Sequence, residues 1–324
     1  MIPSFSYLRA ASLAEAIAQA AQPGARLHAG GTDLQGCLRD GVFGATKVVS
    51  LSGLDELRGI RRAADGGLRI GALTTIAEVA ADPRIAKSYR ALAMAAGEVA
   101  SPQLRTAGTL GGNLCQKPRC WYYRGEFHCL RKGGDTCYAV EGDNRCHAIF
   151  GGNGCYMVHP SDTAAALVAL DAGVRIAGPG GTRVVKVSTF HVSSATDPRR
   201  ETVLEPGEVV TEIVLPAPVR GLRSSYRKIR ARRAWDFALA GVASAVRMDG
   251  GRVARAEIVL SGVAAVPWRA EAAEKALAGR RLEASAIATA AEAAIAGAEP
   301  MEHNAYKVPL VRGMLQEELE SILA

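Results

Sequence analysis

RLHAGGTDL, residues 26–34, reads as a short strand, Arg26–Ala29, that meets a helix through the glycine turn Gly30-Gly31-Thr32-Asp33. Paired glycines at the N-terminus of a helix leave backbone N–H groups open to an anion, and a phosphate binds well there. A tight turn capped by Thr32 or Asp33 explains the same residues equally well. Upstream, Ser12-Leu-Ala-Glu15 is a capping box, with a helix running to about Gln22 and ended by Pro23-Gly24. Downstream, Lys47–Leu51 reads as a buried strand. The order is βαβ, which opens an α/β layer. AGTLGGN, residues 107–113, repeats the chemistry of the first loop, and two such loops suit a pyrophosphate better than a single phosphate. Neither is the G-x-G-x-x-G of a Rossmann fold or a Walker loop.

Further along, Leu68–Ala72 reads as a strand, Thr75–Ala80 as a capped helix and Arg84–Val99 as one longer helix. A helix over Pro160–Asp171, capped by Ser161 or Asp162, precedes strands near Val174–Ala177, Arg183–Val187 and Val209–Leu215. Pro216-Ala-Pro218 marks a boundary between residues 1–218 and residues 219–324. Beyond it, Ala238–Met248 and Val253–Val263 flank an Asp-Gly-Gly turn and form a hairpin. Helices over Arg269–Ala278, Ala284–Ala296 and Tyr306–Leu323 close an α+β unit. With 324 residues, two domains are expected at roughly 100–200 residues each.

Hydrophobic residues at 48% and charged residues at 22% exclude a disordered chain, a collagen-like repeat and a coiled-coil rod. The longest apolar runs fall short of the ~20 residues that a spanning helix needs. The N-terminus has no basic region leading into an apolar core, so a cytoplasmic chain is expected, unless a partner's export signal carries it to the periplasm. The net charge is +7, and seven basic side chains lie within residues 220–233. No aromatic-interleaved motif accompanies them, so a solvated or partner-facing strip is expected there and not a nucleic-acid site.

Six of the seven cysteines lie in residues 115–155: Cys115, Cys120, Cys129, Cys137, Cys146 and Cys155. Disulfides need an oxidising compartment. Structural zinc sites use close C-x₂₋₄-C pairs, and here the successive spacings are 5, 9, 8, 9 and 9, so only Cys115 and Cys120 stand that close. A [4Fe–4S] cluster accepts thiolates from widely spaced loop positions, so the spacing favours iron–sulfur modestly over zinc. Lys117, Arg119, Arg124, Arg131, Lys132 and Arg145 are placed to offset thiolate charge. Trp121, Tyr122, Tyr123 and Phe127 would shield a redox centre or pack beneath a long loop. Asn113 and Cys120 are at most ~25 Å apart even if fully extended.

AGGTDL at 29–34, RTAGTLGGN at 105–113 and HPSD at 159–162 resemble the flavin-binding medium subunit of the xanthine dehydrogenase family, the molybdenum hydroxylases. The resemblance covers nearly the whole chain. It implies a two-subdomain FAD-binding fold followed by a C-terminal α+β domain. CQKPRCWYYRGEFHCLRKGGDTC, residues 115–137, further resembles members with an added [4Fe–4S] cluster, the 4-hydroxybenzoyl-CoA reductases and periplasmic aldehyde oxidoreductases. The iron–sulfur insertion would span about 115–158.

By that resemblance, Arg26, Leu27, His28, Ala29, Gly30, Gly31, Thr32, Asp33 and Leu34 hold the FAD pyrophosphate, and Thr109, Gly112 and Asn113 complete the cradle. Asp162 would hydrogen-bond the cofactor, and Lys228 sits where the family has a flavin-contacting lysine. Cys120, Cys129, Cys137 and Cys155 are the expected cluster ligands. Cys155 is preferred to Cys146 because CYMVHPSD is closer to the aldehyde oxidoreductase branch. The implied role is electron transfer: a large molybdenum-cofactor subunit and a small [2Fe–2S] subunit feed FAD, which reduces an external acceptor. No general base or nucleophile is named on this chain. The alternatives are a stand-alone flavoenzyme and a non-enzymatic iron–sulfur or zinc sensor.

Overall fold

The computed structural model describes residues 2–323. Among them the first layer is a parallel sheet of order β1-β3-β2, formed by β1 (Ser6–Arg9), β2 (Ala25–His28) and β3 (Lys47–Ser50). The helices α1 (Leu13–Ala20) and α2 (Leu34–Arg39) connect them. Ser12 caps α1 by accepting from the Glu15 N–H at 3.1 Å, while Glu15 accepts from the Ala11 N–H. The βαβ opening is as expected. The extra strand β1 carries no sequence signal, because its side chains are mostly exposed and show no alternation.

A second, antiparallel sheet runs β4-β5-β8-β6-β7. Its strands are β4 (Ile60–Arg62), β5 (Leu68–Gly71), β6 (Gly173–Gly178), β7 (Gly181–Lys186) and β8 (Val209–Leu215). Between β5 and β6 come α3 (Ile76–Ala81), α4 (Pro83–Ser88), α5 (Arg90–Glu98), α6 (Pro102–Ala107), α7 (Leu110–Leu114), α8 (Trp121–Arg124) and α9 (Asp162–Ala169). The single helix expected over residues 84–99 is two. Asp82 and Pro83 start α4, and Tyr89 leaves helical geometry at φ −137° so that its hydroxyl donates to the Pro216 carbonyl at 2.6 Å.

The third sheet has the order β12-β11-β10-β9, built from β9 (Leu222–Ile229), β10 (Ala240–Asp249), β11 (Arg252–Ser261) and β12 (Trp268–Arg269). Gly250 and Gly251 both have positive φ, which a two-residue turn between β10 and β11 requires. Along β10 the side chains alternate. Ala240, Val242 and Val246 join the core under α10 (Glu271–Leu277), α11 (Ala284–Ile295) and α12 (Lys307–Leu323), while Ala243 and Ala245 join the core shared with α5 and α9. The small alanines let those two helices lie close. The core of the first 218 residues therefore runs across the Pro216–Pro218 boundary into the third sheet.

The basic stretch is mostly strand β9; Arg220, Arg223, Arg232 and Arg233 are exposed, as a solvated strip requires, and several of its side chains are nonetheless paired. Arg227 pairs with Glu317 at 3.0 Å, Lys228 with Asp162 at 2.7 Å and Arg230 with Glu98 at 2.6 Å, while Arg223 donates to the Ile322 carbonyl. Apart from α8 and a single 3-10 turn at Leu130–Lys132, the cysteine-rich insertion is irregular. Its tail is anchored to the C-terminal unit. Ile149 and Phe150 sit in that core, Phe150 stacks on Trp268 at 5.1 Å, and the Lys307 ammonium donates to the carbonyls of Cys146, His147 and Gly262.

Candidate functional site

The three sheets meet around a cleft of about 580 Å³, within the range of small-molecule sites. Thirteen of the fourteen expected cradle residues line it: Arg26, Leu27, Ala29 to Leu34, Thr109, Gly112, Asn113, Asp162 and Lys228. His28 is the exception; it lies behind the turn, with its ring against Gly31.

The two glycine loops touch each other. A Cβ on Gly30 would lie 1.9 Å from the Ala107 carbonyl oxygen, so Gly30 is what allows the first loop to seat on the second. Gly31 has φ +72°, a left-handed conformation that disfavours any side chain. Backbone geometry alone therefore favours glycine at this position. Thr109 caps α7 by accepting from the Gly112 N–H at 3.1 Å.

The side chains expected to cap or bind have further partners. Asp33 makes no cap hydrogen bond to α2. Its carboxylate pairs with Arg119 and Arg124, each at 2.7 Å, and accepts from the Lys117 N–H, so it ties the first loop to the insertion. The Asn113 side-chain oxygen accepts from Ser161 and Thr163, pinning the second loop to the start of α9. Ser161 is the cap of α9, and Asp162 is not. Asp162 instead accepts from Tyr226 Oη and Lys228 Nζ, both at 2.7 Å. Burial raises the Asp162 carboxyl above its usual range, and the Lys228 ammonium opposes that shift. Removing one partner of a buried pair strands the other, so Lys228→Ala should cost about 3–5 kcal/mol and loosen flavin retention. Denaturant midpoint and bound flavin after gel filtration measure both; an unchanged midpoint would contradict the pairing.

Tyr226 and Trp235 were not foreseen. Tyr226 alternates with Lys228 on one face of β9, a signal hidden by the surrounding arginines. Trp235 and Ala100 both have positive φ and are joined by a 3.0 Å backbone hydrogen bond at the cleft rim. Nothing in the sequence marks that link.

Behind the second loop, His159 and His191 stand with ring centroids 4.1 Å apart. His191 Nε2 donates to the Leu114 carbonyl, and burial lowers its pKa to about 4; His159 is also lowered by burial. Both rings are neutral when folded, whereas unfolded imidazoles protonate near pH 6.5. Stability is thus complete above about pH 6.5 and falls as the pH drops toward 4, by up to ~1.4 kcal/mol per unit for each ring. Urea midpoints between pH 7 and pH 5 test this, and His191→Gln should flatten the slope.

Cys120, Cys129, Cys137 and Cys155 line one small cavity together with Tyr122, Tyr123, Arg131 and His147. Cys115 lines the larger cleft instead, and Cys146 stands beside Lys307, Asp143 and Arg145. All seven cysteines are free thiols, and burial pushes Cys120 up to about 12. Among the described residues, no three His, Cys, Asp or Glu side chains are disposed to hold a single metal ion. The basic residues assigned to thiolate charge are mostly engaged elsewhere. Arg119 and Arg124 serve Asp33, Lys117 serves Glu201, Arg145 serves Asp143 and Lys132 donates to the Gly125 carbonyl. Of the six, only Arg131 lines the cysteine cavity.

Residues 3–218 match the family described as the FAD binding domain in molybdopterin dehydrogenase, and residues 224–322 match the CO dehydrogenase flavoprotein C-terminal domain. The chain belongs to this FAD-binding family. Among its relatives is the aldehyde oxidoreductase FAD-binding subunit PaoB of Escherichia coli, 37% identical over 96% of each chain. Carbon monoxide dehydrogenase from Hydrogenophaga pseudoflava superposes with a TM-score of 0.80 at 29% identity, covering 100% of this chain and 98% of the other. Quinoline 2-oxidoreductase from Pseudomonas putida gives 0.79 at 28% identity, covering 99% and 98%. For a member of this FAD-binding family, the expected α+β fold with a flavin domain and a C-terminal domain is the observed one. No helix among the described residues is long and apolar enough to cross a membrane.

Proposed function

We propose that this chain is the electron-transfer flavoprotein subunit of a molybdenum-containing hydroxylase, holding FAD in the cleft and a [4Fe–4S] cluster in the cysteine cavity. The observation that carries the reading is the seating of two glycine loops on one another through Gly30, which together form one wall of the cleft. Arg26 to Leu34 and Thr109 to Asn113 would cradle the pyrophosphate. The buried Lys228–Asp162 pair would sit beside the bound cofactor. FAD supplies the chemistry of accepting electrons and passing them on, and the protein positions it and excludes water.

Four thiols around one cavity suit an iron–sulfur cluster, whose ligands come from widely spaced loop positions. The cluster takes its ligands as thiolates, so loading should release protons. The proposed partners are a large molybdenum-cofactor subunit, which selects an aldehyde, aromatic or N-heterocycle, and a small [2Fe–2S] subunit. NAD⁺, a quinone or oxygen would be the acceptor. Purification tests the assignment: large and small subunits should co-purify, and substrate oxidation should need them. Turnover by the isolated chain would favour the stand-alone flavoenzyme.

A further inference from the structure

Arg131 is buried, with a side-chain exposure of 1%, yet only part of its guanidinium is engaged. Its Nη2 donates to the Glu201 carboxylate and to the Arg200 carbonyl, while Nε and Nη1 have no partner in the chain. The same side chain lines the cavity of Cys120, Cys129, Cys137 and Cys155 and sits over the Tyr123 ring at 5.7 Å. Leaving these two nitrogens of a cation unpaired in the interior is costly unless acceptors come to their N–H groups. Glu201 also accepts from Lys117, which lines the flavin cleft. One buried carboxylate thus holds a cation from each of the two sites.

We propose that Arg131 is a positioning residue that sets the reduction potential of the cluster, its Nε–H and Nη1–H donating to sulfur at the rim of the cysteine cavity. This rests on the cluster reading above. A reduced cluster carries one more negative charge than the oxidised one. A fixed cation and two hydrogen bonds stabilise the reduced form more, so they hold the potential up. Glu201 fixes the fork, and its second bond to Lys117 keeps the two sites in one hydrogen-bonded unit.

The test is a redox titration of the purified complex followed by the paramagnetic signal of the reduced cluster, with iron content measured alongside. Arg131→Met should keep its iron and shift the one-electron equilibrium toward the oxidised form at least tenfold, ~59 mV. Arg131→Lys, which keeps the charge but loses the fork, should shift it less. If the methionine variant loses its iron, the lysine variant decides. An unchanged potential in the variant that retains iron overturns the role of Arg131 while leaving the cluster in place. Wild-type complex whose iron does not exceed that of its small [2Fe–2S] subunit by about four per copy of this chain would instead overturn the cluster reading and this role with it.

Discussion

Replacing Gly30 with valine is expected to strip the chain of flavin. A Cβ at that position would lie 1.9 Å from the Ala107 carbonyl oxygen and 3.1 Å from the Gly108 Cα, both main-chain atoms that cannot rotate away. The loop of residues 29–34 must therefore lift off the loop of residues 105–113. Those two loops form one wall of the cleft, and the second is pinned by Asn113 to Ser161 and Thr163. Lifting the first also pulls Asp33 from Arg119 and Arg124. Gly112→Ala is the control: its Cβ would meet only the Thr109 hydroxyl, at 2.9 Å. Flavin content after gel filtration should fall to background in the Gly30 variant and survive, weakened, in the Gly112 variant. Full flavin in Gly30→Val would mean that the contact between the loops is dispensable.

The second large effect concerns the cysteines. Cys155→Ser should lose the ~4 irons of a cubane, and Cys146→Ser should keep them. Cys155 is buried beside Met157 and Ala265 and faces the cavity that Cys120, Cys129 and Cys137 also line. Cys146 lies apart, its carbonyl held by the Lys307 ammonium. Iron analysis of the two single variants, purified identically, decides between them. Iron lost from Cys146→Ser but retained in Cys155→Ser would move the fourth ligand to Cys146.

Much of this architecture was legible in the sequence, because it rests on local signals. The Ser12 cap of α1, the glycine turn and the Asp-Gly-Gly hairpin are each set within a few residues, although Glu15 closes on the Ala11 N–H and not on that of Ser12 as a capping box would. Strand β9 was hidden because five arginine and lysine side chains within and beside it mask an alternation that only Tyr226 makes by burial. The break at Tyr89 was hidden because its cause, the Pro216 carbonyl, lies 127 residues away. The candidate site divides in the same way. The cradle residues and the four cysteines stand in recognisable motifs. The ties that hold them do not: Asp33 to Arg119 and Arg124, Asp162 to Tyr226 and Lys228, and Glu201 to Lys117 and Arg131. Each joins charges more than sixty residues apart, where charge counting sees only a surplus of cations. That is why the basic residues of the insertion read as thiolate partners although most of them serve carboxylates.

The central claim is that one chain carries two cofactors in two adjoining sites. Acid precipitation of the purified protein, with flavin and iron assayed on the same sample, tests it most directly. Cys115 is the one cysteine lining the cleft, and burial pushes its thiol up to about 12, leaving it a poor nucleophile toward flavin. The account predicts one FAD per chain released into the supernatant, together with about four irons per chain beyond those of the small [2Fe–2S] subunit. Flavin retained in the pellet would contradict the non-covalent cleft, and a colourless chain without flavin or iron would contradict the account as a whole.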